Sequence, residues 1–227
     1  MAPPPADLTF LIDVDNTLLD NGAVVADLRR HLRETVGAEG EQRYWNIFEE
    51  LFRDPGFADY LGALQRYSLE GPRDPRLFDV SLFLLNYPFG ERLYPRALDV
   101  IARLRARAPV AILSDGDVVF QPYKVKRSGL WDAAAGHVLI YIHKEQMLED
   151  IERRYPSRRY VMVDDKIYVL AAIKAIWKER VTTVFVRQGH YALDAKLVAA
   201  SPPADVTIDA IGDIIDRLGE LDNRVIG

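Results

Sequence analysis

Two aspartates near the start of the chain lie two residues apart at the end of an apolar run. Residues 8–12 have the length and composition of a buried parallel strand, and Asp13 and Asp15 follow them. Ligands of open α/β sheets bind in the crevice beyond the carboxyl ends of the strands, where both carboxylates can point. Because adjacent acids repel, the pair indicates a divalent cation, a cationic substrate or a shared proton. A solvated Asx-type turn is the alternative that the same residues allow.

Three further apolar runs end in polar residues. Ser114 and Asp115 follow residues 110–113, Lys144 follows residues 137–142, and Asp164 and Asp165 follow residues 160–163. The carboxyl ends of parallel strands meet at one edge of a sheet, so we expect all these side chains in a single site. Each cluster is a weak signal by itself, and four of them in this order are a strong one.

Strand and helix patterns alternate from residue 94 onward. Helices are predicted at residues 97–107, 145–154, 169–179 and 211–221, and further strands at residues 182–186 and 206–208. Alternation with helices of this length predicts an α/β fold with a doubly wound parallel sheet and helices on both faces. We therefore assign residues 1–19 and 94–227 to an α/β core.

Residues 20–93 have a helical pattern instead. Apolar residues recur three and four apart, as in Tyr44, Ile47, Phe48 and Leu51. Residues 23–94 hold 12 of the 23 aromatic residues, so we expect most of them to form the core of a small helical bundle. The segment is then an all-helical domain inserted after the first strand, with a minority of its aromatic side chains lining a pocket.

Composition excludes several classes of function. The net charge is −5 with no basic stripe, which argues against nucleic acid as the main partner. Cysteine is absent, so disulfides, thiolate zinc sites and cysteine nucleophiles are excluded. The first residues lack a signal-peptide pattern, and no apolar stretch approaches the roughly 18 residues of a spanning helix. We expect a soluble, cytoplasmic protein without a membrane partner; its oligomeric state stays open, with a homodimer among the alternatives.

The polar clusters resemble the motifs of the haloacid dehalogenase-like superfamily, in its phosphatase and phosphomutase branch. The family has Asp-x-Asp-x-Thr-Leu after its first strand, then a Ser or Thr, a Lys, and a strand that ends in acids. The matching residues, in motif order, are Asp13, Asp15, Thr17 and Leu18, then Ser114, then Lys144, and then Asp164 with Asp165. The inserted helical segment resembles the cap of the family. One departure is that Tyr168 and Val169 stand where the family often has another acid.

The resemblance implies a role for each residue. Asp13 would be the nucleophile that forms an aspartyl-phosphate, and Asp15 would be the general acid and base. Ser114 and Lys144 would hold the phosphoryl oxygens. The other residues expected to bind substrate or phosphate are Asn16, Thr17 and Asp115.

The resemblance also implies Mg²⁺ as the cofactor. Its ligands would be Asp13, the carbonyl group of Asp15, and Asp165 or Asp164. Charge supports a cation at this place, because four carboxylates beside a single lysine leave a local charge of about −3.

Other charged residues compete for places in the site. Lys124 and Lys126 also lie between the second and fourth motifs, but Lys144 is preferred because it begins the helix that leads into the acidic strand. Lys166 is expected to be a solvated turn residue. The four histidines share no metal-ligand spacing, and only His143, beside Lys144, is expected to be within reach of the site.

The leading hypothesis is an Mg²⁺-dependent phosphatase for a small phosphorylated metabolite. A phosphomutase is the alternative enzyme. Haloacid dehalogenation is less favoured, because hydrolysis of a carbon–halogen bond requires no acid at position 15. A receiver-type signalling domain would also use acids, a Ser or Thr and a Lys, but it is nearer 120 residues and has no helical insertion. A binding-only relative is disfavoured by the complete set of motif residues.

Overall fold

The computed structural model describes residues 5–53, 57–71 and 74–219. Its centre is a sheet of six parallel strands in the order β3-β2-β1-β4-β5-β6. The strands are β1 Ala6–Ile12, β2 Val110–Asp115, β3 Val138–Tyr141, β4 Ser157–Asp164, β5 Val181–Val186 and β6 Val206–Ile208. The chain leaves β1 toward both sides of the sheet, as in doubly wound folds, and the predicted fold class is confirmed.

The register of the three central strands aligns their carboxyl ends. Ile12 of β1 pairs with Ile112 of β2 and with Val163 of β4. The residues that follow these three positions therefore emerge side by side at one edge of the sheet. This edge carries the acidic pair that follows β1, and it is the site predicted from the sequence.

Both faces of the sheet are covered by helices. The helices are α1 Asn21–Arg53, α2 Tyr60–Glu70, α3 Leu77–Asn86, α4 Ala97–Arg105, α5 Phe120–Arg127, α6 Leu130–Ala133, α7 Leu148–Arg154, α8 Ile167–Trp177, α9 Gly189–Leu193 and α10 Ala195–Ala199. Alternate residues of β1 enter two separate clusters of buried side chains: Phe10 and Ile12 lie in one, and Leu11 lies in the other. Burial on both faces explains why β1 is continuously apolar at its carboxyl end.

The segment between β1 and β2 is helical, as its periodicity predicts. It contains α1, α2, α3 and a 3₁₀ turn at Phe89–Arg92. Gly37, with φ of 83°, interrupts α1, which therefore consists of two helical pieces. Buried residues of these helices join the cluster on the Phe10 face of the sheet, so helical segment and sheet share one apolar core.

Two predicted helices differ from the structure. Residues 145–154 do not form one helix, since a 3₁₀ turn at Lys144–Gln146 precedes α7. His143, with a left-handed φ of 59°, precedes the 3₁₀ turn, and Met147, with φ of −103° and ψ of 20°, separates that turn from α7. Residues 211–215 form a 3₁₀ turn rather than the start of an α-helix, and residues 220–221 of that prediction lie outside the described residues. None of the described helices has the length and apolarity required to cross a membrane.

Candidate active site

Lys144 connects two of the strand ends through a buried ion-pair network. Its Nζ atom lies 2.6 Å from Asp13 Oδ1 and 2.6 Å from Asp164 Oδ2, and it donates to the Leu113 carbonyl at 3.3 Å. The side chain is fully buried. Burial lowers the pKa of this ammonium, but Asp13 and Asp164 outweigh that effect and raise it well above its ordinary value. Lys144 therefore remains a cation at the centre of the site.

Three carboxylates converge beside this lysine. Oxygens of Asp13, Asp164 and Asp165 lie within 4.8 Å of one another, and all three residues are buried. Asp13 Oδ2 and both oxygens of Asp165 have no hydrogen-bond partner among the described residues. Burial, with Asp164 and Asp13 nearby, raises the pKa of Asp165 to about 9. Burial also raises the pKa of Asp164 to about 6, although Lys144 opposes that shift.

This acidic cluster has the properties of a divalent cation site. Buried oxygens without donors are costly, and an ion with oxygen ligands would satisfy them. Asp165 is the best-placed ligand of the two motif acids, because neither of its oxygens has a hydrogen-bond partner within the described ranges, whereas Asp164 contacts Lys144. The donor set consists of oxygens only, which suits Mg²⁺ rather than a soft transition metal.

Asp115 holds the backbone near Lys144 in place. Its Oδ1 atom accepts a hydrogen bond from the Lys144 backbone N–H at 2.8 Å. This contact joins the end of β2 to the turn that carries the lysine. Asp115 also borders the cleft described below, but a carboxylate offers no donor to a phosphate oxygen, so we assign it to positioning of Lys144.

Asp15 forms an ion pair with a second lysine, Lys124. Lys124 Nζ lies 2.6 Å from Asp15 Oδ1 and 2.7 Å from Oδ2, and Gln121 Nε2 donates to Oδ2 at 3.2 Å. Gln121 also donates to Ser114 Oγ at 3.0 Å, which links Asp15 to the end of β2. The expectation of one lysine facing four carboxylates is therefore wrong. Two lysines are paired directly with the acids: Lys144 with Asp13 and Asp164, and Lys124 with Asp15.

The loop after β1 is shaped by a left-handed residue. Asn16 has φ of 61° and is buried, and its Oδ1 accepts a hydrogen bond from the Gly22 backbone N–H at 3.3 Å. Gly189 packs against it so closely that an added Cβ would lie 2.3 Å from Asn16 Cβ. Thr17 is buried next to it, and its hydroxyl oxygen has no partner in the described ranges. These contacts hold the loop that carries Asp15.

A cleft of about 620 Å³ opens beside Asp15. One wall belongs to the helical segment and carries five aromatic rings, those of Trp45, Phe48, Phe52, Phe57 and Tyr60, with Asn21, Arg29, Glu49 and Arg53 among them. The opposite wall belongs to the sheet edge and is mainly polar, with Asp15, Asn16, Asp115, His143, Lys166 and His190 beside Tyr168, Val169 and Tyr191. We name the first the helical wall, and we name the whole sheet edge, with the buried acids and lysines behind the lining residues, the core wall. The volume and mixed lining are typical of a site for a small molecule.

The structure corrects one residue and separates others from the site. Lys166 is not a solvated turn residue: it lines the cleft, and its Nζ lies 5.4 Å from the centre of the Tyr191 ring. Lys126 lies on the surface and pairs with Asp132, while His31 stacks on Phe83 away from the acids. The residues brought together at the sheet edge are Asp13, Asp15, Asn16, Thr17, Ser114, Asp115, Lys144, Asp164 and Asp165.

Comparison with known proteins assigns the family. The family model described as haloacid dehalogenase-like hydrolase matches residues 8–176, which include every motif of the sheet edge. The chain belongs to the haloacid dehalogenase-like hydrolases. No curated protein shows a significant sequence match. The resemblance inferred from the motifs is thereby confirmed at the level of the superfamily.

Solved structures of other hydrolases share the fold. A haloacid dehalogenase-like hydrolase from Burkholderia xenovorans LB400 is 58% identical with a TM-score of 0.90, over 95% of this chain and 98% of that one. The L-2-haloacid dehalogenase of Xanthobacter autotrophicus is 17% identical with a TM-score of 0.59, over 93% and 98%. The magnesium-bound hydrolase YfnB of Bacillus subtilis is 18% identical with a TM-score of 0.61, over 94% and 99%. The last two likenesses concern the fold only.

Sequence reasoning missed two contacts of this haloacid dehalogenase-like hydrolase. The sequence pattern gives Gln121 no role and offers Lys124 only as an alternative to Lys144, whereas in the structure each lysine pairs with a different acid. Gln121 and Lys124 lie three residues apart on α5 and so share a helix face with buried Val125 nearby. Two polar residues on the buried face of a short helix were the available signal.

Proposed function

We propose that this hydrolase is an Mg²⁺-dependent phosphatase that acts on a small phosphorylated metabolite through a phosphorylated Asp13. The observation that carries the proposal is the buried cluster of Asp13, Asp164 and Asp165, whose oxygens lie within 4.8 Å of one another, with Asp15 two residues from Asp13. A cation site beside a nucleophile and a second acid suits phosphoryl transfer.

The residues present fit a magnesium ion. Asp13 Oδ2 and the oxygens of Asp165 are buried and lack donors in the part of the chain that the structure describes, so they would hold the ion, with the Asp15 carbonyl as a further ligand. When bound, Mg²⁺ supplies positive charge to the phosphoryl oxygens during transfer. Lys144, 2.6 Å from Asp13, orients the nucleophile and offsets the charge that the phosphoryl group brings.

The remaining residues divide the reaction between them. An Asp13 oxygen attacks phosphorus, and the bond between phosphorus and the leaving oxygen breaks. Asp15 gives a proton to that oxygen and then takes one from the water that hydrolyses the aspartyl-phosphate. Ser114 donates to a phosphoryl oxygen, for which its hydroxyl hydrogen is available because its oxygen accepts from Gln121.

We further propose that residues 20–93 act as a cap over a catalytic core of residues 1–19 and 94–227. The aromatic helical wall faces the polar core wall across the cleft, so movement of these helices would exclude water from the reacting groups. Side chains of the helical wall would contact the leaving group and select the substrate.

Hydrolysis of a haloacid is the second candidate. Lys124 contacts both oxygens of Asp15, and a halide leaves without a proton, so that reaction would not need Asp15 as an acid. The cluster around Asp165 favours the phosphatase, because carbon–halogen hydrolysis at a carboxylate has no use for a divalent cation.

A panel of metabolite phosphates and 2-haloacids tests the proposal. Phosphate and halide release are measured with Mg²⁺ and with excess chelator, and the organic product is analysed for isomerised phosphate. We expect phosphate release that chelation removes and Mg²⁺ restores, with Ca²⁺ less effective because of its looser coordination. Halide release that persists in chelator would replace the proposal with dehalogenation, and an isomerised phosphate product would replace it with a mutase.

A further inference from the structure

Lys124 is a buried lysine outside the motifs that define the site. It is 1% exposed, although lysine is almost never fully buried without a charged partner. Its ammonium group contacts three oxygens: both carboxylate oxygens of Asp15 and Oδ1 of Asn21, the last at 3.4 Å. Desolvation of an ammonium costs several kcal/mol, roughly, unless the geometry of its partner offsets it. The location of Lys124 is therefore determined by Asp15.

The two acids of the first motif use separate cations. Lys144 pairs with Asp13 and Asp164, and Lys124 pairs with Asp15. If one lysine served both acids, any movement of the nucleophile would also move the second acid. Separate partners allow Asp13 to change its charge and contacts while Asp15 stays in place.

Lys124 also connects Asp15 to the helical wall. Asn21, which accepts from Lys124, donates through Nδ2 to the Tyr60 hydroxyl oxygen at 3.3 Å. Asn21 and Tyr60 both line the cleft. The contacts therefore run from Asp15 on the core wall to Tyr60 on the helical wall, and both residues line the cleft.

The element that carries Lys124 is held firmly. Asp117 accepts hydrogen bonds from the backbone N–H groups of Val119 and Phe120 at the start of α5, at 2.8 and 2.6 Å. The Phe120 ring packs against the rings of Tyr60 and Phe89. A lysine on such a helix fixes its partner better than one on a free loop, which is the requirement for a positioning group.

We propose that Lys124 is a positioning residue that holds the Asp15 carboxylate in line with the leaving-group oxygen. The inference rests on the proposed phosphatase function. It assigns to α5 a part in the reaction that goes beyond the four motifs, and it predicts that loss of Lys124 mimics loss of Asp15 rather than loss of Asp13 or of the metal site.

The test uses the leaving group as the readout. Lys124→Met, Lys124→Arg and the matched surface control Lys126→Met are assayed in rapid mixing with 2,4-dinitrophenyl phosphate and with an alkyl phosphate. Dinitrophenolate leaves without a proton, so Lys124→Met should keep the burst rate within about 3-fold of wild type. The alkyl phosphate needs the acid, so its rate should fall about 100-fold, at the lower end of general acid–base effects.

Three comparisons complete the test. Lys124→Arg keeps a cation and should recover part of the alkyl phosphate rate, and Lys126→Met should match wild type. In an Asp15→Asn background, Lys124→Met should cause no further loss, because the two changes remove one function. Equal loss with both esters would overturn the positioning role and leave a structural one.

A stability cycle covers the case in which Lys124→Met folds poorly. Melting temperatures of Asp15→Asn, Lys124→Met and the double variant are compared, and we expect the double variant to be more stable than Lys124→Met because it no longer holds the half-buried Asp15 carboxylate without its lysine. Additive losses would show that the pair does not interact and would overturn the inference.

Two outcomes separate this inference from the proposed function. If the wild type hydrolyses no phosphate ester, the proposed function fails. If the wild type is a phosphatase but the rates of its Lys124 variants do not depend on the leaving group, only the role of Lys124 is refuted.

Discussion

The two walls of the cleft are built on different principles. On the core wall, charged groups lie at the ends of aligned strands and are fixed by short contacts, such as the 2.6 Å distance from Lys144 Nζ to Asp13 Oδ1. On the helical wall, aromatic rings pack at centroid distances near 5 Å, for example 5.1 Å between Trp45 and Phe48. Ion pairs in buried places need exact partners, whereas apolar packing is non-directional. The core wall is therefore suited to constant chemistry, and the helical wall to variable selection.

The difference has a consequence for substitution. A buried acid that loses its partner leaves an uncompensated charge, which costs roughly 3–5 kcal/mol. An aromatic side chain at the cleft surface can be trimmed at lower cost, because solvent or substrate fills the space. We therefore expect changes on the core wall to affect every substrate and changes on the helical wall to affect some.

The largest effect is expected from the first two acids of the core wall. Asp13→Asn keeps the shape but removes the nucleophile, so turnover should fall to background and no phosphoprotein should form. Asp15→Asn should still be phosphorylated by an activated ester, and hydrolysis of the intermediate should slow by about 10²–10⁴-fold without a base. Intact mass at low pH should therefore detect a phosphorylated Asp15→Asn protein. Phosphorylation of Asp13→Asn at another residue would contradict the assignment of the nucleophile.

The second-largest effect is expected for Asp165, a member of the buried acidic cluster. Asp165→Asn should abolish the stabilisation that Mg²⁺ gives the wild type, which is about 2.7 kcal/mol in the free energy of unfolding at a hundred times the dissociation constant and appears as a rise in melting temperature. In chelator the same variant should be more stable than wild type, because burial raises the pKa of Asp165 to about 9, so its side chain must take up a proton or bury a charge on folding, and an amide needs neither. Differential scanning fluorimetry and calorimetric titration with Mg²⁺ measure both quantities.

Asp132 provides the control for this experiment. Its side chain is 69% exposed and pairs with Lys126, so Asp132→Asn should keep the wild-type response to Mg²⁺. If Mg²⁺ raised the melting temperature of Asp165→Asn as much as that of the wild type, the ion would bind elsewhere, and the core wall would not be the site that depends on exact charged partners.

The smallest effect is expected on the helical wall. Phe52, which is 40% exposed, lines the cleft, and Phe52→Ala should lower kcat/KM for esters with a large apolar leaving group by about 10-fold. For a small generic phosphate ester the change should be below about 2-fold, since that ester does not reach the wall. Phe78→Ala on α3, which is 66% exposed and outside the cleft, is the matched control. Equal loss with all esters would mean that the helical wall is structural rather than selective.

Much of the core wall could be predicted because its positions are set by local rules. Asp13, Ser114 and Asp164 each end or follow a continuous apolar run, and parallel strands with level ends bring such residues to one edge. The six strands were predicted for the same reason, since β-branched and apolar runs of this length allow few other structures. The short 3₁₀ turns that begin at Lys144 and Ile211 were not predicted, because segments of three to five residues are too short to show a helical periodicity of their own.

The sequence by itself determined the acids, their order and the sheet edge at which they meet. Only the tertiary structure decided that Lys144 serves Asp13 while Lys124 serves Asp15, that Gln121 joins Asp15 to Ser114, and that Lys166 faces the cleft. The physical reason is the separation along the chain of the residues that set each position. Residues next to a strand end are placed by covalent geometry and strand register. A lysine on a crossover helix contacts its acid only after the helix has packed on the sheet.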